Sequence, residues 1–236
     1  MRKTVSIVQI AAYVILTSAT ILIFIKVVNS LLLTGRIHGA LIAIPVWLIA
    51  YMITTIVHES GHYVGGRIDG YSFLVFQVLW VRFIKYRGHY AVRLTNNTKS
   101  QCVMVPDNNQ HWNTYNMMGL VFNIILALAA AFYGLHIGED GWRFIICFAL
   151  AATGMCKIVA NGIPYFKNGA PQNDCAMFIL LNKDKLFREE YFIYLKCYKR
   201  YINDYDIGEV AKPNIEPGRY YSSIFWDEIQ RLKQNN

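Results

Sequence analysis

Two histidines and a glutamate stand at metal-ligand spacing in the segment TTIVHESGHYVGG, residues 54–66. On a helix, His58 and His62 project from the same face one turn apart, so their imidazoles can share one metal ion. Glu59 follows the first of them, where a carboxylate can take a proton from a water held by zinc. This combination of residues is typical of zinc-dependent peptide hydrolysis.

An apolar run precedes this HExxH pattern and favours one of two interpretations. In the structural interpretation, the histidines cap a helix end or pair with Glu59, as can happen in any helix with this pattern. Ionisable groups at bilayer depth cost several kcal/mol unless they serve a site. The apolar context therefore favours a metal site.

A third metal ligand must come from elsewhere in the chain, because catalytic zinc usually has three protein ligands and one open position. Asp140 is expected at the opposite membrane face and is set aside. The remaining candidates are Asp69, His89, Asp107, His111 and Asp174. The residue pattern alone leaves the choice among them open.

The composition indicates a membrane protein. Of the 236 residues, 55% are hydrophobic and 16% are charged, and the mean hydropathy is +0.27, which is too apolar for an ordinary soluble domain. Most Lys and Arg residues flank apolar segments: Arg2 and Lys3, six residues between 61 and 116, and eleven after residue 160. This distribution indicates a positive-inside bias and argues against a nucleic-acid partner.

Four apolar segments are long enough to cross a hydrocarbon core of about 30 Å. They predict transmembrane helices over residues 5–33, 39–64, 117–138 and 142–162. Pro45 lies in the second and is expected to kink it, because proline removes a backbone donor. The last two segments are rich in Ala and Gly, which lets helices approach closely.

Two other segments have a different character. Residues 71–106 are rich in aromatic and β-branched residues and carry an Arg87-Gly88 turn signal, which predicts a membrane-associated β-hairpin. The stretch FREEYFIYLKCYKRYI predicts an amphipathic helix that could lie on the bilayer surface. We therefore predict a membrane-embedded domain over residues 1–180 and a basic cytosolic tail over 181–236.

The predicted fold class is an α-helical integral membrane protein with about four transmembrane helices. If Arg2 and Lys3 hold the N-terminus in the cytosol, the second span brings HESGH close to the cytosolic face. Four spans then place the C-terminus in the cytosol as well. The basic hairpin and the basic tail would lie on the same side.

Three motifs in a fixed order carry a family resemblance: HESGH at the end of an early span, GLVFN in a later one, and NGIP followed by ND after the last. Together they resemble the site-two protease family of intramembrane zinc metalloproteases, in a compact form without a PDZ domain. The resemblance covers roughly residues 40–178. It implies that His58, His62 and Asp174 are zinc ligands. It also implies that Glu59 is the general base.

The resemblance assigns further residues near the metal. Asn161 and Pro164 match the family's Asn-x-x-Pro element, and Asn123 matches the asparagine of its central span. Asn123 and Asn161 would then hold the substrate strand or the developing oxyanion. The structural alternatives are a buried amide bonded to a neighbouring helix for Asn123 and a helix C-cap for Asn161.

Two features near Asp174 depart from the family's pattern. The gap from Pro164 to Asp174 is longer than usual, and Cys175 stands where glycine is common. The inserted YFKNGAPQN must loop and return, which its Asn-Gly pair and its proline permit. Asp174 could also serve as the N-cap of the following helix, a role that does not exclude metal binding. Asp107 is the reserve ligand.

The resemblance implies an enzyme of the bacterial cell membrane that hydrolyses membrane-embedded substrates, such as regulators, remnant signal peptides or peptide precursors. The predicted hairpin could bind an unwound substrate by adding it as an extra strand. The alternatives are a non-proteolytic membrane protein that binds or transports metal, and a basic membrane-anchored scaffold. Glu59 separates these classes, because metal transport needs no general base and a scaffold needs none of the HExxH residues.

Overall fold

The computed structural model describes residues 37–96, 99–107, 111–137, 142–167 and 170–204, and before them the isolated residues 7, 11, 14, 15 and 18. Over these ranges the chain forms mainly α-helices, together with short antiparallel strands. In chain order the elements are α1 (Ile37–Ile68), β1 (Tyr71–Val78), β2 (Val81–Tyr86), β3 (His89–Leu94), β4 (Gln101–Pro106), α2 (Asn113–Ile137), α3 (Trp142–Gly162), β5 (Phe166–Lys167), β6 (Ala170–Pro171), α4 (Asp174–Lys183) and α5 (Lys185–Asp204).

Three of the described helices are long and apolar enough to cross a membrane: α1 over Ile42–Ile68, α2 over Asn113–Ile137 and α3 over Trp142–Gly162. They correspond to the second, third and fourth predicted spans. The first predicted span, residues 5–33, lies outside the described residues except at five isolated positions. The part of the chain that the structure describes therefore has three candidate spans, where the sequence predicted about four.

The chain divides into two compact units. The first comprises Met1–Gly61 and Met117–Ala176, and the second comprises His62–Asn116 and Met177–Asn236. The divisions fall inside α1, α2 and α4.

Small residues allow close helix packing in the first unit. A Cβ atom built on Gly154 of α3 would lie 3.1 Å from the Cβ of Ala127 on α2. A Cβ on Gly61 of α1 would lie 2.4 Å from the backbone oxygen of Met118 on α2. The contact of Gly154 with Ala127 confirms the predicted close approach of the Ala- and Gly-rich helices. Small residues matter here because lipid provides no hydrophobic drive for helix association, so contact depends on how closely the backbones approach.

A four-stranded antiparallel sheet forms the centre of the second unit, with strand order β3-β2-β1-β4. The predicted antiparallel segment is confirmed, and so is its turn at Arg87 and Gly88, which both have positive φ. The sheet nevertheless contains a second hairpin, between β1 and β2, that the sequence did not reveal. Its turn has no glycine or asparagine at the critical position, because Leu79 itself adopts a φ of 54°.

Two neighbouring side chains hold this unexpected turn. The side-chain amide of Gln77 donates to the carbonyl of Leu79 at 3.0 Å, and the hydroxyl of Ser100 accepts from the Leu79 N–H at 3.3 Å. These bonds stabilise a backbone conformation that a branched side chain disfavours. The run from Tyr71 to Tyr86 is therefore two strands rather than one.

Helix α5 packs its apolar face on this sheet. Its residues Leu195, Cys197 and Tyr198 share one buried cluster with Leu74, Val75, Ile84 and Val105 of the strands. The amphipathic helix predicted in this region is confirmed, but the prediction that it could lie on the bilayer is wrong for this face, which the sheet covers. Residues 205–236 of the predicted tail lie outside the described residues.

Candidate metal centre

Helix α1 carries all three residues of the HExxH pattern in buried positions. His58, Glu59 and His62 expose 5%, 7% and 7% of their surface. The two histidines lie one turn apart on the helix, as their spacing predicts. Such burial of ionisable residues in a helix of membrane-spanning length is expensive unless they have partners.

Asp174 completes the group. One of its carboxylate oxygens lies 3.0 Å from Nε2 of His58. His58, His62 and Asp174 each offer a ligand atom, and these atoms all lie within 4.8 Å of one another. Among the described residues this is the group of His, Cys, Asp and Glu side chains that could hold a metal ion.

Asn123 of α2 contacts the other ring nitrogen of His58. Its side-chain nitrogen lies 3.0 Å from His58 Nδ1, and the asparagine is fully buried. The Asn123 side-chain oxygen has no hydrogen-bond partner among the described residues. If the amide rotates by 180°, this oxygen accepts a hydrogen bond from Nδ1–H of His58, which leaves the lone pair of Nε2 available to a metal. The orphaned oxygen therefore fits a metal-bound state of His58.

His62 is oriented by a backbone carbonyl. Its Nδ1 lies 2.7 Å from the carbonyl oxygen of Tyr115. Because a carbonyl only accepts, Nδ1 must carry the proton, and the lone pair of Nε2 is then available to a metal. Metal-binding histidines typically show this arrangement, in which the nitrogen away from the metal donates to a fixed oxygen.

Tyr115 is itself held at two further points. Its N–H donates to Asp69 Oδ2 at 2.8 Å, and its hydroxyl donates to the carbonyl of Cys102 at 2.5 Å. Asp69, one of the five candidate ligands, thus binds the first turn of α2, where backbone N–H groups have no helical partner. It supports the residue that orients His62.

Asp107, the reserve ligand, is occupied elsewhere. It accepts hydrogen bonds from the hydroxyl of Ser72 and from Lys199 Nζ, the latter at 3.1 Å. Partial burial by itself would raise the pKa of Asp107, but the bonds from Ser72 and Lys199 outweigh it and lower the pKa below the usual value. His89, a further candidate, lies exposed on β3. Asp140 lies outside the described residues.

The segment before Asp174 loops and returns as predicted. Strands β5 and β6 pair Phe166 with Pro171 and Lys167 with Ala170, and the N–H of Gln172 donates to the carbonyl of Tyr165 at 2.9 Å. The chain therefore comes back next to the point where it left α3. This short hairpin accommodates the chain between Pro164 and Asp174.

Asn173 caps the helix that begins at Asp174. Its side-chain oxygen accepts a hydrogen bond from the N–H of Ala176 at 3.1 Å. This is the bond by which an N-cap residue satisfies the third N–H of a helix. The alternative role of Asp174 as the N-cap is therefore taken by its neighbour. The preference of asparagine for N-caps is the sequence signal that could have identified it.

The side chain of Asn161 makes its hydrogen bond within its own helix. Its side-chain nitrogen donates to the carbonyl of Lys157, one turn earlier in α3, at 3.3 Å. The structure thus brings together His58, His62, Asp174 and Asn123, whereas the Asn161 amide bonds to its own helix. Comparisons with family models, curated proteins and solved structures gave no match for this chain.

Proposed function

We propose that this chain is an intramembrane zinc metalloprotease that hydrolyses peptide bonds of membrane-embedded substrates. The observation that carries the proposal is the approach of Asp174 to His58 at 3.0 Å, with His62 in the same group. His58 and His62 lie near the C-terminal end of α1, which has the length and apolarity of a membrane span, whereas Asp174 begins α4. The group therefore combines the local HExxH pattern with Asp174, which lies 116 positions after His58 in the chain.

The chemistry of the donor set supports zinc. Two imidazoles and one carboxylate are a common ligand set for catalytic zinc, and they leave one coordination position open. Calcium and magnesium prefer sites made of oxygen ligands alone. Zinc held by these residues would supply a Lewis acid that makes water acidic enough to ionise near neutral pH.

Besides a metal-bound water, hydrolysis needs a general base, and Glu59 is the candidate for it. As a buried carboxylate beside His58, it would accept a proton from the attacking water and deliver it to the leaving amine. A protein that only transports or stores metal has no need for such a group. Glu59 therefore favours the protease over the non-proteolytic alternative.

The substrate has to present an extended segment, because a helix hides its carbonyls in its own hydrogen bonds. Strand β3 is an edge strand of the sheet, and all its residues except Ala91 are exposed. An exposed edge has unpaired backbone donors and acceptors and can accept another strand. We infer that β3 binds unwound substrate. We also infer, from the family resemblance of the sequence, that Asn161 contacts substrate.

The expected substrates are membrane-anchored regulators, remnant signal peptides or peptide precursors in a bacterial cell membrane. Both chain termini would face the cytosol, as the distribution of Lys and Arg favours. The proposal involves the lipid bilayer and a peptide substrate as partners and no nucleic acid.

The test compares Glu59→Gln with the wild-type protein in liposomes that contain a panel of single-span membrane peptides, remnant signal peptides among them. Glutamine keeps the size and polarity of the side chain but removes the base. We expect zinc content to stay at about one per chain and cleavage to fall by about 10²- to 10⁴-fold. Glu189→Gln, which changes an exposed carboxylate of α5, is the matched control and should cleave normally.

Two results would overturn the proposal. One is wild-type cleavage by the Glu59→Gln variant. The other is a zinc-loaded wild-type protein that cleaves no peptide of the panel. Metal uptake into liposomes in that second case would favour the transport alternative.

A further inference from the structure

The side chain of Asn173 uses its full hydrogen-bonding capacity. Its nitrogen donates to the carbonyls of Ala160 at 2.6 Å and Ile163 at 2.7 Å. Its oxygen accepts from the N–H groups of Tyr165 at 3.2 Å and Ala176 at 3.1 Å. A primary amide has two donor hydrogens and two acceptor lone pairs, so none remains for other partners.

These four bonds connect the end of one helix to the start of the next. Ala160 lies in the last turn of α3, where carbonyls lack partners within the helix, and Ile163 directly follows the helix. Ala176 lies in the first turn of α4, where N–H groups have none. Tyr165 is the last residue before the β5–β6 hairpin. One side chain therefore terminates α3, starts α4 and closes the base of the hairpin between them.

Asp174 follows this anchor directly. Consecutive Cα atoms lie about 3.8 Å apart, so a fixed Asn173 leaves the Asp174 backbone little freedom. The hairpin that precedes it has only two residue pairs in its ladder, and short isolated ladders are weak on their own. The carboxylate of Asp174 nevertheless lies 3.0 Å from His58 Nε2, and a ligand site tolerates errors of only about 0.5 Å.

We propose that Asn173 is a positioning residue that sets Asp174 in place as a metal ligand, an inference that rests on the metal site of the proposed function. The gap between Pro164 and Asp174 is longer than is usual in the family that the sequence resembles. This length explains why the chain needs a positioning residue before Asp174. A loop of that length can place its last residue in several ways, and the four bonds of Asn173 select one.

Three substitutions remove different parts of this set of bonds. Aspartate accepts hydrogen bonds but has no hydrogen for the carbonyls of Ala160 and Ile163, and would set a negative charge against both. Serine can still cap α4 but has one donor in place of two. Asn173→Ala removes all four bonds. The three substitutions form a series that separates capping from the connection to α3.

The experiment measures zinc affinity by competition with a chelator and the visible absorption spectrum of the cobalt-loaded protein. We expect zinc affinity to fall by about 10- to 100-fold in Asn173→Ala and Asn173→Asp, as when a residue that orients a ligand is removed. Cobalt bands should lose intensity as the coordination changes. Gln172→Ala is the matched control, because within the described part of the chain that side-chain amide bonds only to the nearby carbonyls of Ala170 and Pro171.

Thermal unfolding of each variant, recorded in parallel, separates positioning from general stability. If Asn173→Ala does not fold, Asn173→Ser keeps the helix cap and is measured in its place. A variant with a lowered unfolding temperature but wild-type zinc affinity and cobalt spectrum would overturn the inference. So would equal losses in the Gln172→Ala control.

The experiments distinguish a failure of the positioning role of Asn173 from a failure of the proposed protease function. If the wild-type protein binds zinc in an Asn173-dependent manner but cleaves no peptide, the protease is refuted and the positioning role stands. If cleavage occurs and zinc binding is indifferent to Asn173, the protease stands and the positioning role is refuted.

Discussion

His58 Nδ1 lies 3.0 Å from the side-chain nitrogen of Asn123, while the side-chain oxygen of this buried asparagine has no hydrogen-bond partner among the described residues. The amide can therefore serve two states of the histidine. It donates to a bare Nδ1 in the orientation seen here, and after rotation it accepts from Nδ1–H when Nε2 binds metal. This relationship makes Asn123 a partner of the proposed ligand His58 on a neighbouring helix. The sequence had left open such a helix contact and a contact to substrate.

Asn123→Leu keeps the volume of the side chain and removes its hydrogen bonding. We expect zinc affinity to fall by about 10- to 100-fold, because His58 loses the group that orients its ring. The control is Asn161→Leu, which should keep zinc and raise the KM for a membrane peptide. Chelator competition and cleavage kinetics on both variants make the comparison. Zinc loss in the Asn161 variant alone would reverse the two assignments.

Asp174→Ala removes a proposed ligand, so both zinc content and peptide cleavage should be lost. Asp107→Ala tests the reserve candidate, whose carboxylate is engaged by Ser72 and Lys199 and should not matter for metal. A double His58→Ala, His62→Ala variant should bind no zinc and defines the background. Metal analysis of the purified variants shows whether zinc binding requires Asp174 or Asp107. Zinc retained without Asp174 but lost without Asp107 would contradict the site described here.

Gly61→Ala should destabilise the protein although alanine is the better helix former. The new methyl group would lie 2.4 Å from the backbone oxygen of Met118, and backbone cannot move aside as a flexible side chain can. Overpacking of this kind costs about 1–3 kcal/mol. Thermal unfolding in detergent measures the effect. Gly162→Ala, whose added methyl would meet only the Leu120 side chain at 3.4 Å, should unfold at close to the wild-type temperature.

Tyr71 and Tyr115 lie in one buried cluster, so the contributions of their hydroxyl groups to stability can be compared directly. The Tyr71 hydroxyl is buried without a hydrogen-bond partner among the described residues. Burial, assisted by Tyr191 and Asp69, raises the pKa of Tyr71 far above the usual tyrosine range, so its phenol stays neutral. Tyr71→Phe should therefore unfold at the same temperature as the wild type or at a higher one.

Tyr115→Phe should lower the unfolding temperature, because it removes the hydroxyl bond to the Cys102 carbonyl, worth about 1 kcal/mol. Zinc binding should persist, since His62 Nδ1 bonds to the backbone carbonyl of Tyr115, which the substitution leaves in place. Differential scanning fluorimetry on both variants tests the pair. A larger loss for Tyr71→Phe than for Tyr115→Phe would show that the Tyr71 hydroxyl has a partner after all.

Local features of this protein follow from the sequence because they depend on neighbouring residues. The placement of His58, Glu59 and His62 on one turn of a helix comes from the 3.6-residue period. The three candidate spans among the described helices come from the length of their apolar runs. The hairpin at Arg87 and Gly88 follows from a glycine that accepts positive φ.

The tertiary structure decided what depends on residues far apart in the chain. The residue pattern alone left five side chains open as the third ligand, and the family resemblance pointed to Asp174. Folding brings Asp174 to His58 and assigns Asp69 to the N–H of Tyr115. An amphipathic pattern shows that α5 (Lys185–Asp204) has an apolar face but cannot name the surface that covers it. The turn at Leu79 is held by Gln77 and Ser100, so its own residue type could not reveal it.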